Sequence, residues 1–249
     1  MKHAIIIGAT SGMGQEVAKK LLSDGWQLGI AGRREKELQA FQQLFPNQKI
    51  AIQVLDVTHG DAPQRLDDLI EQNGGMDLFF LASGVGHQNV DLAPEVELQT
   101  AETNVTGFTR MVTAAFRYFK TQKGGHLAVI SSIAGTKGLG VAPAYSATKR
   151  FQNTYIDALA QLAHIEKLNI RFTDIRPGFV GTALLNDKNK YPLVMKPERV
   201  AAQIVKALYR NKRVAIIDRR YACLVFFWRL IPRWLWERLN IKTKERGNG

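Results

Sequence analysis

Cysteine is almost absent from this chain. The 249 residues hold one, Cys223, which excludes an intramolecular disulfide and any zinc site built on several thiolates. Such poverty in thiols favours a reducing, cytoplasmic compartment. The five histidines, His3, His59, His87, His126 and His164, show no metal-ligand spacing, and no metal is expected. Long apolar runs are missing too: residues 1–3 lead into Ala4–Ile7 and then a glycine turn, too short for a secretory leader or a membrane span. There is no repeat of fixed period and no low-complexity linker. At 45% hydrophobic and 22% charged residues, the composition excludes disorder, collagen and coiled coil, and the length suits one large domain.

What the chain has in excess is positive charge, +12 overall, and it is unevenly placed. Residues 210–249 carry +8 of it, together with three of the four tryptophans. Within this stretch residues 221–236, YACLVFFWRLIPRWLW, are flanked by Arg219, Arg220, Arg238, Lys242 and Lys244. Arg229, Pro232 and Arg233 interrupt the run, so it cannot span a bilayer. It suits the bilayer interface, where indoles sit at headgroup depth and arginines reach anionic phosphates. An active-site lid or a subunit contact are the other readings of residues 219–246. Nucleic acid is not expected, because no recognised binding motif accompanies the charge.

Short apolar runs alternate with amphipathic stretches along the first 218 residues. Ala4–Ile7, Gln27–Ala31, Ile50–Leu55, Leu78–Leu81, Leu127–Ile130, Ile170–Ile175 and Val214–Ile217 read as strands. Between them Gly14–Leu22, Glu35–Leu44, Ala62–Gln72, Leu98–Tyr118, Ala144–Lys167 and Pro197–Tyr209 read as helices. Alternation of this kind predicts a Rossmann-type, doubly wound, parallel seven-stranded α/β sheet, with one domain over 1–218 and an amphipathic extension over 219–249.

After the first strand comes Gly8-Ala9-Thr10-Ser11-Gly12-Met13-Gly14, a G-x-x-x-G-x-G turn opening a helix. Side chains at those glycines would keep the backbone away from a pyrophosphate, whose charge the helix N-terminus favours. The second strand ends in Ala31-Gly32-Arg33-Arg34, where an NAD-binding unit usually carries an acid for the ribose 2′-hydroxyl. Arginine there accommodates a 2′-phosphate, which points to NADP(H); the plainer reading is two exposed loop cations.

Tyr145 and Lys149 stand four apart at the start of a long helix, on one face and one turn from each other. A phenol has an ordinary pKa near 10 and needs a neighbouring positive charge to exchange protons near neutrality. Chance alone supplies about 0.4 such pairs in a chain of this composition, and adding Ser132 thirteen residues before Tyr145 lowers that to about 0.01.

Together these residues closely resemble the short-chain dehydrogenase/reductase family over roughly residues 1–218. The ordered set comprises Gly8–Gly14, Asp56-Val57 after the third strand, Leu81-Ala82-Ser83-Gly84 after the fourth, Asn104, Ser132, Tyr145, Lys149 and Pro177-Gly178-Phe179-Val180-Gly181-Thr182 after the sixth. The resemblance implies a nicotinamide-dependent oxidoreductase acting on a carbonyl or an alcohol. By it, Asp56 and Val57 contact adenine, Pro177 to Thr182 (with Gly178 and Val180) pack on the nicotinamide and its phosphates, and Ala82, Ser83 and Gly84 complete the cofactor wall. Hydride passes to the carbonyl carbon, Tyr145 protonates the developing alkoxide and Ser132 donates to the same oxygen. Lys149 lowers the phenol pKa and holds the ribose, and Asn104 positions a water linking Lys149 to solvent. Two positions depart from the family pattern: Ile7 stands where threonine is usual, and Leu81-Ala82-Ser83-Gly84 lacks two asparagines, leaving Ser83 as the polar substitute for a brace near the cofactor.

Between the Pro-Gly segment and the last long helix lie residues 183–196, where related enzymes build a substrate loop. Leu184, Leu185, Tyr191, Leu193, Val194 and Met195, beside Asp187, Lys188 and Lys190, predict an apolar wall with a polar rim, suited to a hydrophobic or lipid-like carbonyl compound. By analogy with the family a homo-oligomer is expected. Two other classes stay open: an NADP(H)-binding protein without turnover that docks to a membrane or partner, and a lyase or epimerase using its cofactor transiently. Cys223 reads as a packing residue.

Overall fold

A computed structural model describes residues 2–183, 185 and 191–241. Seven strands, β1 (His3–Ile7), β2 (Gln27–Gly32), β3 (Ile50–Val54), β4 (Leu78–Leu81), β5 (Gly124–Ile130), β6 (Asn169–Arg176) and β7 (Val214–Ile216), form one sheet in the order 3-2-1-4-5-6-7. Every neighbouring pair is parallel. The strands are apolar on consecutive residues because both faces are covered: Ile5, Ile7, Phe79 and Leu127 pack on one side, Ala4, Ile6, Leu78 and Phe80 on the other.

Helices α1 (Gly12–Ser23), α2 (Glu35–Gln43), α3 (Ala62–Gln72), α4 (Pro94–Ala101), α5 (Phe108–Thr121), α6 (Pro143–Ile165) and α7 (Pro197–Tyr209) supply those covers. Strand order reverses between β1 and β4, which opens a crevice at their C-terminal ends; open α/β sheets bind ligands at such a point. The loops after β1, β2, β3 and β4 line that crevice.

One expected helix is three elements. Leu98–Tyr118 resolves into the end of α4, a π turn over Glu102–Gly107, and α5. The interruption comes from tertiary contacts at Asn104, which no local pattern encodes; π turns occur frequently at functional sites.

Beyond β7 the chain continues as α8 (Arg219–Leu230) and α9 (Arg233–Trp236). Asp218 caps α8 by accepting from the Arg220 amide at 2.9 Å. Tyr221 and Val225 enter the core beside Ile217 and Val180, so the first two turns of α8 are anchored in the main body. Among the described residues no helix is long and apolar enough to cross a membrane.

Candidate active site

The crevice begins with the glycine turn. Gly8 and Gly12 sit at φ of +90° and +60°, backbone that side chains disfavour, and a Cβ on Gly8 would lie 2.6 Å from the Ser83 nitrogen. Amides of Gly8 and Ala9 donate to the Ala31 carbonyl, tying the turn to β2. No side chain caps α1, so the first-turn amides of Gly12, Met13 and Gly14 remain available at the crevice wall. Across it, the amides of Ala82 and Ser83 both donate to the Ile7 carbonyl, at 2.8 and 3.1 Å. These backbone bonds tie the loop after β4 to the end of β1 beside the glycine turn.

Arg33 and Arg34 reach the same crevice and differ in how they are held. Arg34 folds back, its guanidinium donating to the Thr10 carbonyl at 3.2 Å and hydroxyl at 2.9 Å. Arg33 extends toward Asp56, with Nη1 and Oδ2 3.9 Å apart. Burial raises the Asp56 pKa, but hydrogen bonds from the Thr58 amide and hydroxyl and the charge of Arg33 outweigh it, holding the carboxyl below the usual range. Val57, Gly84 and Thr182 complete the lining. Unpaired helix-terminal amides, two guanidiniums and one ionised acid on a common wall fit a phosphorylated dinucleotide.

Beside this wall, α6 presents Tyr145 and Lys149. Ser132 leaves β5 in an extended conformation and caps the 3₁₀ turn Ile133–Thr136, accepting from the Ala134 amide at 3.0 Å. Gly86 packs against the Tyr145 ring, where a Cβ would stand 2.7 Å from ring carbons. Burial pushes the Tyr145 phenol up, and its hydrogen bond with Ser132 pulls it back down. Lys149 Nζ lies 5.7 Å from the Tyr145 ring centroid, and desolvation draws its ammonium down to about 8 against the opposing charge of Asp174. Asp174, wholly buried, is satisfied by Arg176, Asn153 and Ser131.

Asn104 is committed to structure on both sides. Its amide pairs with the Val85 backbone in both directions, at 2.9 and 2.7 Å, and donates to Thr148 at 3.2 Å. Its carbonyl accepts from Gln152 at 2.9 Å, and Gln152 in turn accepts from Lys149 at 3.0 Å. Gln152 thus links the Asn104 backbone carbonyl to the Lys149 ammonium. Sequence reading passed over Gln152; its signal is the i, i+3 spacing from Lys149.

Of Pro177 to Thr182, only Thr182 lines the crevice; Val180 is buried in the core and bridges to Met195. Tyr221 underlies this segment: Gly178 lies against its ring, its hydroxyl accepts from the Phe179 amide at 3.2 Å and donates to the Pro192 carbonyl at 3.0 Å. Of the expected apolar wall, Leu185, Tyr191, Leu193, Val194 and Met195 are described; Met195 is buried in the core, and the Tyr191 and Phe179 rings lie 4.7 Å apart. Leu184, Asp187, Lys188, Lys190, Lys242 and Lys244 lie outside the described residues.

A family model described as short chain dehydrogenase matches residues 2–192. An uncharacterized oxidoreductase of Myxococcus xanthus is 33% identical over 216 residues, covering 84% of this chain and 85% of that protein. Dehydrogenase/reductase SDR family member 7B of Bos taurus is 27% identical, covering 94% of this chain and 79% of its own. Among solved structures, an alcohol dehydrogenase from the archaeon Thermococcus sibiricus, complexed with 5-hydroxy-NADP, superimposes with a TM-score of 0.75 at 25% identity over 87% of this chain and 95% of that one. A short-chain dehydrogenase/reductase from Burkholderia phymatum in complex with NAD gives 0.81 at 19% identity, over 90% and 92%. With three quarters of its length matched and its sheet, crevice and Tyr-Lys helix in the family's arrangement, the chain belongs to the short-chain dehydrogenases/reductases, a family of oxidoreductases.

Proposed function

We propose that this protein is an NADP(H)-dependent oxidoreductase that interconverts a hydrophobic, lipid-like carbonyl compound and its secondary alcohol. The observation that carries the reading is that Lys149, with Tyr145 and its hydrogen-bonded Ser132 beside it, abuts Gly84 of the crevice that Arg33 and Arg34 also line. Gly8, Thr10, Ser11, Gly12, Met13 and Gly14 would hold the pyrophosphate, Arg33 and Arg34 the 2′-phosphate, and Asp56 and Val57 the adenine. Ala82, Ser83, Gly84, Pro177, Gly178, Val180 and Thr182 would flank the nicotinamide, which when bound supplies hydride chemistry. The chain's own part is acid–base: Tyr145 gives its phenolic proton to the substrate oxygen, Ser132 donates a hydrogen bond to that oxygen, and Lys149 offers an ammonium to the phenol and the ribose. Asn104 holds the loop after β4 and the base of α6 around them.

The C-terminal extension supports an accompanying reading, docking on an anionic membrane surface at the cytoplasmic face. Cys223, Phe226, Phe227 and Leu230 repeat at i, i+3, i+4 and i+7 and are all exposed, and Trp234, Leu235 and Leu239 continue the patch. Arg219, Arg229 and Arg238 form no ion pair among the described residues, which leaves them for lipid phosphates. Trp236 donates to the Gly138 carbonyl and Lys137 to the Ile231 carbonyl, each at 2.7 Å, so the patch adjoins the loop between Ser132 and Tyr145. A homo-oligomer through the outer faces of α5 and α6 is part of the same proposal, supported by the half-buried Phe151 and Tyr155 rings, stacked at 5.5 Å.

Titration of the purified protein with NADPH and NADH, followed by tryptophan quenching and nicotinamide emission, tests the cofactor assignment. NADPH should bind at least about tenfold tighter, near 1.4 kcal/mol, and oxidation of NADPH at 340 nm should follow addition of a long-chain aldehyde or ketone. Preference for NADH overturns the arginine assignment; absence of binding by either overturns the enzyme.

A further inference from the structure

Lys149 is an ammonium that the fold has taken out of water, only 4% exposed, and no carboxylate pairs with it among the described residues. Taking a charge into the interior costs several kcal/mol unless dipoles replace the lost hydration. Two do so. Nζ donates to the Ile130 carbonyl at 3.2 Å and to Gln152 Oε1 at 3.0 Å. The first is backbone at the end of β5, present whatever the side chains. Among the described residues Gln152 is the one side chain that accepts from it.

Gln152 is 1% exposed, and its carboxamide is not free to turn. Nε2 donates to the Asn104 carbonyl at 2.9 Å; reversed, the amide would set NH₂ against ammonium and oxygen against oxygen. Asn104 is itself pinned by its two bonds to Val85, so the chain Val85, Asn104, Gln152, Lys149 is a continuous set of fixed positions. An ammonium has three hydrogens and two are used. On the crevice side Gly84 faces Nζ, where a Cβ would stand 3.4 Å away, so the missing side chain leaves that approach open for the third.

We propose that Gln152 is a positioning residue for Lys149: its carboxamide, locked by the Asn104 carbonyl, fixes the ammonium one turn behind Tyr145 and leaves one N–H directed to the crevice. The proposal rests on the reading in which Tyr145 and Lys149 handle the proton. An amide suits the task better than either alternative at this place. A carboxylate would bind the ammonium as an ion pair, and an apolar side chain would leave it without its acceptor and favour the neutral amine. Burial already brings Lys149 to about 8, within reach of either change. The groups facing it from the packed elements are Tyr145 on its own helix, Asp174 on β6, whose charge favours the ammonium and which Arg176 pairs, and the uncharged Asn104, Ser131, Ser132, Thr148 and Asn153.

The test uses the full chain and two near-isosteric variants, Gln152→Glu and Gln152→Met. Lys149 ionisation is read from its ¹³Cε shift in lysine-labelled protein, assigned by the resonance missing in Lys149→Met, and needs no turnover. Relative to wild type the midpoint should rise by about one unit in Gln152→Glu and fall by about one in Gln152→Met. The alkaline limb of kcat with NADPH should move the same way, costing Gln152→Met roughly fivefold at pH 8. A merely structural glutamine would lower kcat at every pH and leave the limb in place. An unmoved midpoint in either folded variant overturns the proposal. Should the midpoints move in the variants while the wild-type chain turns over no carbonyl compound, the positioning role stands and the enzyme reading falls. Thermal melts identify a variant that has not folded, and the other then decides.

Discussion

Helices α6 and α8 carry the same spacing and opposite content. On α6, Tyr145, Thr148, Lys149 and Gln152 stand at i, i+3, i+4 and i+7, a face turned inward with the last three buried. On α8, Cys223, Phe226, Phe227 and Leu230 occupy the same pattern and face outward, the last three at 62%, 60% and 66% exposure. Folding alone favours neither. Burying polar groups costs energy unless each finds a partner, and every large apolar side chain left in water forgoes roughly 1.5–3 kcal/mol. The α6 face meets its cost by hydrogen bonding through Gln152 and Asn104. Among the described residues the α8 face has no such compensation, because its other apolar stripe, Tyr221 and Val225, already occupies the core. Under the proposed function, the polar face turned in serves a reacting molecule and the apolar face turned out serves a lipid surface.

The sharpest way to break this comparison is at α6. Tyr145→Phe removes the hydroxyl and keeps the ring against Gly86, so the fold and NADPH affinity should be retained while kcat for carbonyl reduction falls about a thousandfold, near 4 kcal/mol. Steady-state rates beside a fluorescence titration check it. Residual activity above a tenth of wild type would show the phenol is not the acid and leave the polar face of α6 without a chemical purpose.

How far the sequence discloses these two helices differs for a physical reason. Leu78–Leu81, Ala62–Gln72 and Pro197–Tyr209 fall where local periodicity and their terminators put them, and the other strands differ by a few residues at their ends. Tyr145, Lys149 and Ser132 were legible because one-turn spacing and a strand end are local facts. Gln152 was not, since its meaning depends on a carbonyl 48 residues away. The π turn that splits Leu98–Tyr118 has the same origin. In the extension, composition discloses aromatics and cations, yet α8 is apolar on both stripes, so periodicity cannot say that Tyr221 and Val225 go in while Phe226 and Phe227 stay out. Tyr221, which holds the Phe179 and Pro192 backbones together, carries no sequence signal for that task.

The α8 side of the comparison is sharpened by point substitution. Truncation after Asp218 would also remove Tyr221 from the core, so loss of binding would be confounded with loss of fold. Phe226→Ser with Phe227→Ser alters only the outward stripe and should leave the melting temperature nearly unchanged. Cosedimentation with vesicles containing phosphatidylglycerol should fall roughly a hundredfold in partition, about 3 kcal/mol for two aromatic side chains, and wild-type binding should weaken as salt rises. Equal sedimentation of variant and wild type would remove the lipid reading and leave a subunit contact to explain the exposed face.

A third buried polar group separates the cost of burial from its use. His126 lies on β5 at the end opposite Ser132, its Nε2 2.8 Å from the Thr173 hydroxyl. Burial first, and then the charge of Arg171, bring its pKa down to about 4 from 6.5. The sign follows from proton counts: between those values the unfolded chain binds a proton that the folded chain refuses, so stability is lost as pH falls from 6.5 toward 4. Allowing for the partial exposure of the ring, the loss attributable to this side chain is on the order of 2 kcal/mol. His126→Gln keeps a hydrogen-bonding group near Thr173 and cannot titrate, so the drop in urea midpoint from pH 7 to pH 4.5 should be smaller in the variant by that amount, with kcat at pH 7 unchanged. A variant as acid-sensitive as wild type would assign the loss to carboxylates elsewhere. A tenfold change in kcat would mean that burial at His126 serves the reaction as well, and the contrast between α6 and the rest of the interior would no longer hold.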